Sequence, residues 1–140
     1  MKSIGLPLSA LIFIFLAMQL SMGCQQGPPK NSRAAQALAG QKTFNDQCAQ
    51  CHGSEDVQAS IDTLATQPPD LKLIMKRRRA KEFPVAEIAR IIDGRLLVKA
   101  HGPREMPVWG EVYEAQGLDD EEIRGRKGEL VAYLMSIQEM

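Results

Sequence analysis

The feature that most constrains this chain is the five-residue segment Cys48-Ala49-Gln50-Cys51-His52. Its C-x-x-C-H spacing is typical of covalent haem attachment. Two thiols three positions apart on a helical turn can reach the two vinyl groups on one edge of a porphyrin. The adjacent His52 then lies under the ring as an axial ligand of the iron. We therefore predict one haem c, held by thioethers from Cys48 and Cys51 and by the His52 imidazole.

Three other uses of the two cysteines compete with this interpretation. Cys48 and Cys51 could form a structural disulfide or a thioredoxin-like redox pair, but such a pair expects a preceding strand and a βαβ pattern. The surroundings here have a helical pattern instead. A zinc site needs four ligands, and only His101 remains as a plausible addition.

Composition limits the size and partners of the protein. The chain has 140 residues, which suits one domain and excludes a multidomain enzyme. Seventeen basic residues balance seventeen acidic ones, so we expect no nucleic-acid partner. One Trp, two Tyr and four Phe supply few bulky aromatic groups for a core of this size, which leaves room for a large non-protein hydrophobe.

Residues 1–23 have the pattern of an export signal peptide. Lys2 is their single charge, and residues 10–18 are the densest apolar stretch. Ser21 and Gly23 place small residues three and one positions before Cys24, as a signal peptidase requires. We predict cleavage after Gly23 and lipidation of Cys24, although Ser21 stands where lipoproteins prefer leucine.

Two alternatives remain for this amino-terminal segment. Cleavage could leave Cys24 as a free thiol, or the uncharged span 3–29 could persist as an uncleaved membrane anchor. All three versions place the rest of the chain outside the cytoplasm. The polar, Gly- and Pro-containing residues 24–33 are predicted to be a flexible tether, followed by one domain over residues 34–140.

His101 and Met106 are the two candidates for the second axial ligand. Pro107 forces Met106 into an extended conformation, and Gly102 and Gly110 mark the segment as a loop. A rigid loop of this kind can hold a thioether in one place. The pattern favours Met106 over His101 but leaves both open, since Met106 could also serve ordinary packing.

The remaining sequence predicts an all-α fold, because no strand-length alternation appears. Apolar and small residues recur every three or four positions over residues 37–51, which predicts a first helix that runs into the cysteine motif. Shorter helices are predicted near residues 71–75 and over residues 85–92, the latter between Pro84 and Gly94.

A final helix is predicted to start at Asp119. Asp119 and Glu122 have the spacing of a capping box. Gly125 and Gly128 weaken the first half of this helix unless close backbone approach compensates. Its predicted inner face comprises Ile123, Leu130, Tyr133, Leu134 and Ile137.

Two further segments bear on the site. Part of the following apolar set is expected to line a haem pocket: Ile91, Ile92, Leu96, Leu97 and Val98. Residues 76–81 form the one concentrated basic run, which is either a solvated helix face or a surface that pairs with an acidic redox partner or a haem propionate.

Together, the early Cys48–His52 motif and the late segment Met106-Pro107-Val108-Trp109-Gly110 resemble class I c-type cytochromes of bacterial type. The resemblance covers about residues 34–140. It implies a cytochrome c fold of about four to five helices wrapped around one haem, with Met106 as the distal ligand. It also implies that the first and last helices cross closely, through Gly40 and Phe44 on one and Leu130 and Tyr133 on the other.

The same resemblance assigns roles around the haem. Pro69-Asp70-Leu71 resembles the family's P-x-L element, so the carbonyl of Pro69 would accept the ring N–H of His52, and Leu71 would pack on the porphyrin. The neighbouring Pro68 leaves the register open by one residue. Trp109 would reach a haem propionate or form a pocket wall.

These expectations favour electron transfer. Histidine and thioether ligands fill the iron's coordination, and no Ser, His and carboxylate set remains for catalysis. We expect a carrier or a haem subunit of a membrane respiratory complex, on the periplasmic side of a bacterial membrane, working with redox partner proteins. The alternative is a gas-binding, sensor or weakly peroxidatic haem protein in which the distal ligand dissociates.

Overall fold

The computed structural model describes residues 27–60, 64, 66–96 and 106–139. Within these residues it contains helices and no strand, which confirms the predicted all-α fold. The elements in chain order are α1 (Arg33–Gln47), α2 (Ala49–His52), a 3-10 helix (Leu71–Leu73), α3 (Ile74–Arg78), α4 (Val85–Ile92), α5 (Trp109–Ala115) and α6 (Asp120–Ser136). The described part thus has six α-helices rather than four to five, because the cysteine motif forms a separate turn.

Helix α1 starts slightly before the predicted domain boundary. The Ser32 side chain accepts a hydrogen bond from the Ala35 backbone N–H at 3.1 Å and caps the helix, which begins at Arg33. Ser32 and Arg33 therefore belong to the helical domain and not to the predicted tether over residues 24–33. A serine in the N-cap position stabilises a helix start by satisfying one of its free N–H groups.

The first and last helices cross closely, as the resemblance implied. A Cβ at Gly40 would collide with the backbone carbonyl of Glu129 on α6. Phe44 and Tyr133 pack with ring centroids 5.1 Å apart, and Leu130 is 1% exposed. The small residue therefore permits a backbone contact that any larger side chain would block.

Helix α6 begins with the predicted capping box. The Asp119 carboxylate accepts the N–H groups of Glu121 and Glu122, and the Glu122 carboxylate accepts the Asp119 N–H, each at 2.9 Å. Among the described residues, nothing lies within 4 Å of a Cβ built at Gly125 or Gly128. No close approach within the described chain therefore compensates for these glycines, and the cap and the buried second half of the helix stabilise it instead.

The carboxyl end of the chain is hydrogen-bonded to the segment that follows Pro69. The Gln138 side-chain amide donates to the Leu71 carbonyl at 2.8 Å and accepts the Met75 N–H at 3.1 Å. The Glu139 N–H donates to the Lys72 carbonyl at 3.0 Å. We call this set of contacts the carboxyl-terminal clasp.

Several predicted features lie outside the described residues. They are residues 1–23, Cys24, Leu97, Val98 and His101. In the part of the chain that is described, no helix has the length and apolar character to cross a membrane.

Candidate functional site

The cysteine motif forms the junction of α1 and α2. Cys48 ends α1, with its N–H bonded to the Phe44 carbonyl at 2.8 Å, and Cys51 and His52 follow in α2. Cys48 is half-buried and Cys51 is exposed, and both are free thiols. The junction of α1 and α2 therefore presents two thiols that form no disulfide, together with an imidazole, from a single short segment.

The thiol environment differs from that of a redox-active pair. Burial and, less strongly, the nearby charge of Cys51 together raise the pKa of the Cys48 thiol to about 12. Reactive dithiols need a lowered pKa and the strand-flanked setting expected above. Neither accompanies Cys48 in the described chain, so the thioredoxin-like interpretation receives no support.

His52 is oriented by the backbone of Pro69. Its ring Nδ1 lies 3.2 Å from the Pro69 carbonyl oxygen. A carbonyl can only accept, so in this contact Nδ1 carries the proton and donates it, as in proteins in which a backbone carbonyl orients a metal-binding histidine. The register question is resolved, because Pro69 rather than Pro68 makes the contact.

Two neighbouring cavities surround this histidine. One is bordered by Cys48, Cys51, His52, Met106 and Trp109. The other is bordered again by His52 and Met106. The structure therefore brings the predicted thiols, imidazole and thioether to the borders of two adjacent cavities.

The second cavity is mainly apolar. Its lining includes three residues named from sequence, Leu71, Ile91 and Ile92, whereas Leu96 borders neither cavity. Three further apolar residues line this cavity and were not predicted to do so from sequence: Ile74, Ile88 and Leu134. Ile88 repeats the helical spacing of Ile91 and Ile92 and could have been found from it.

A polar group beside the first cavity was also missed. Gln47 lines that cavity and accepts a hydrogen bond from the Tyr113 hydroxyl at 2.6 Å. Burial raises the pKa of Tyr113 to about 12, so its phenol stays a neutral donor. The ring centroids of Trp109 and Tyr113 lie 5.8 Å apart. No local sequence signal links these two residues to Gln47.

The basic run of residues 76–81 is mostly exposed. Arg78 pairs with Glu87 of α4. Arg77 and Arg78 also border the second cavity, at its rim. The run therefore combines a solvated face with two guanidinium groups next to the site, and the structure is consistent with both interpretations made from sequence.

The donor set fits a haem better than a simple metal ion. Among the described residues, no group of three or more His, Cys, Asp or Glu side chains could hold a metal, and His101, the addition that a zinc site would need, lies outside them. Two thiols, an imidazole and a thioether around largely apolar space are the groups by which proteins hold haem c.

The comparisons with known proteins agree with this geometry. The model of the family described as cytochrome c oxidase, cbb3-type, subunit III matches residues 35–134, which include the cysteine motif, Pro69 and Met106. Searches of curated proteins and of solved structures found no match. The chain belongs to this cbb3-type cytochrome c family and is a c-type cytochrome.

Proposed function

We propose that this protein carries one haem c with His52 and Met106 as axial ligands and transfers single electrons between partner proteins. Membership of the family makes the chain a haem c electron-transfer protein. The observation that carries the finer proposal is that His52 and Met106 border the same two cavities, one of which also contains both thiols.

The chain's own residues set how the cofactor works. Bound haem supplies a one-electron couple between ferric and ferrous iron. The Pro69 carbonyl holds His52 in one tautomer and orientation. The Met106 thioether, a soft donor, would favour the ferrous state and would block the approach of oxygen or a substrate to the bound haem. With both axial positions filled, we assign no catalytic residue.

We place this activity on the periplasmic side of a bacterial membrane. The signal-peptide pattern of residues 1–23 and the small residues before Cys24 support export and lipid anchoring through residues 24–33. The family description supports redox partners in a respiratory complex, in which the chain would be a haem subunit rather than a free carrier. The exposed basic run offers a surface for an acidic partner.

Substitution of the distal ligand tests the proposal. Oxidised wild-type protein should show the weak long-wavelength band of sulfur-to-iron charge transfer. Met106→Ala should abolish that band, lower the reduction potential and let carbon monoxide bind the ferrous iron, because the thioether no longer occupies the sixth position. Visible spectra, redox titration and carbon monoxide titration measure these effects.

His101→Ala is the matched control, and it should leave the band and the potential unchanged. If His101→Ala instead removes the native ligation while Met106→Ala has no effect, the iron has two histidine ligands. If wild-type protein binds carbon monoxide readily, the sixth position is open. The gas-binding, sensor or peroxidatic alternative then replaces electron transfer.

A further inference from the structure

One charged side chain is buried near the distal segment and has no role in the function described above. Asp93, at the end of α4, is 8% exposed and is the single buried charged residue in the described part of the chain. Its Oδ1 lies 2.5 Å from Lys127 Nζ, and its Oδ2 lies 2.6 Å from Arg95 Nε. Both carboxylate oxygens are therefore paired.

The two cations differ in exposure. The Lys127 side chain, on α6, is 14% exposed, whereas that of Arg95 is 77% exposed. An exposed ion pair contributes little, because water screens it. Loss of one member of a buried pair leaves an uncompensated charge. The ion pair between Asp93 and Lys127 therefore matters more for stability than the pair with Arg95. It joins the end of α4 to α6.

The Asp93–Gly94 corner also contacts the segment that carries Met106. A Cβ at Gly110 would come within 2.7 Å of Asp93 Oδ1 and 3.2 Å of its carbonyl oxygen. Gly94 has a φ of +81°, and a Cβ there would come within 2.6 Å of Val108 Cγ1. The residues on both sides of Trp109 are therefore packed directly on this corner.

These contacts lie close to the distal ligand. Val108 is two residues after Met106, and its carbonyl accepts the Val112 N–H at 3.1 Å to start α5. Met106 itself borders both cavities. Because a ligand must be held within a fraction of an ångström of its productive place, whatever fixes residues 108–110 also fixes the thioether.

We propose that Asp93, held by Lys127, is a positioning residue that packs the 108–110 segment in place and thereby directs the Met106 thioether to the iron. This inference rests on the proposed His52 and Met106 ligation. Asp93 acts through its contact with Gly110, beside the contact of Gly94 with Val108.

The test compares Asp93→Asn and Lys127→Met with wild type as holoproteins. Either change breaks the buried pair and weakens the bond from Met106 to iron. Mutation of a group that supports a metal ligand typically weakens metal affinity by about 10- to 100-fold, and we expect an effect of this size on the bond between Met106 and iron. Carbon monoxide competes with Met106 for the ferrous iron. The apparent dissociation constant of carbon monoxide should therefore fall by the same factor in the variants. The long-wavelength band should weaken in parallel.

Two control variants separate positioning from stability. Arg95→Ala removes only the exposed partner and should leave carbon monoxide affinity unchanged. Leu130→Ala destabilises the crossing of α1 and α6. Because Leu130 borders neither cavity that Met106 lines, this variant should also leave the carbon monoxide affinity unchanged. Hydrogen exchange at the Val112 amide adds a readout that does not involve the iron, and it should accelerate in Asp93→Asn.

The outcomes distinguish this inference from the ligation on which it rests. If wild type shows the band and excludes carbon monoxide while folded Asp93→Asn behaves identically, the positioning role is wrong and the ligation stands. If Leu130→Ala raises the affinity as much as Asp93→Asn, general destabilisation explains both, and the role is again wrong. A wild type that lacks the band and binds carbon monoxide overturns both the ligation and the role of Asp93.

Discussion

At the scale of single residues, the chemistry of this protein is concentrated in one turn. Cys48, Cys51 and His52 could be proposed from sequence because the motif itself encodes their spacing at the junction of α1 and α2. The Pro69 contact needed both the resemblance and the structure, since only coordinates separate Pro69 from Pro68. Asp93 gave no signal, because its partner Lys127 is 34 residues away and neither residue stands in a recognisable motif.

The cysteine motif predicts one covalently attached haem per chain. The porphyrin should therefore remain on the polypeptide after denaturation and acid-acetone extraction, because thioether bonds survive both treatments. Intact mass of the wild-type chain should include one haem. The Cys48→Ser, Cys51→Ser double variant should have the mass of the polypeptide alone. Haem that washes out of the wild type would contradict the assignment.

At the scale of helices, local signals predicted where elements begin better than how they pack. The Asp119 cap and the start of α6 agree with sequence because hydrogen bonds within one turn determine them. Gly40 and the two glycines of α6 illustrate the opposite case. All three are helical glycines, and only their surroundings show that Gly40 is confined, whereas Gly125 and Gly128 have no neighbour within 4 Å in the described part of the chain.

This contrast predicts opposite effects of one substitution. Gly125→Ala and Gly128→Ala should each stabilise the protein by about 0.5–1 kcal/mol, since alanine loses less backbone entropy in a helix and meets no neighbour there. Gly40→Ala should destabilise it by about 1–3 kcal/mol or more, because the added methyl collides with the Glu129 carbonyl. Denaturant unfolding of the three holoproteins measures the differences.

The control for this comparison is retention of the haem spectrum in all three variants, which shows that the site is intact. Equal effects at positions 40 and 125 would contradict the close crossing of α1 and α6. A loss of stability in Gly125→Ala would mean that α6 has a neighbour at that position.

At the scale of the whole molecule, sequence predicted one all-α cytochrome domain, and the family match covers residues 35–134 of it. The all-α cytochrome fold could be predicted because a haem motif, helical periodicity and one late methionine segment all point to the same fold. The arrangement of α4, α5 and α6 around Asp93 could not be predicted, since it depends on contacts between distant segments.

The mature protein is predicted to begin at a lipid-modified Cys24. Mass analysis of the amino-terminal peptide from native membranes should show a diacylglyceryl thioether on Cys24 and no residues 1–23. Cys24→Ser should release the haem-containing domain into the soluble fraction, because the tether then has no membrane attachment. An unmodified Cys24 in the native protein, or an intact Met1 segment, would contradict the prediction.

The carboxyl-terminal clasp has a consequence for the order in which this chain can fold. Gln138 follows Leu71 by 67 residues, so a polypeptide that emerges from a ribosome or an export channel amino end first exposes the cysteine motif and Pro69 long before Gln138. The backbone groups of Leu71, Lys72 and Met75 that the clasp satisfies must remain hydrated until then. Closure of the segment after Pro69 is therefore a late event in vectorial synthesis, whereas α1 and α2 are available from the start.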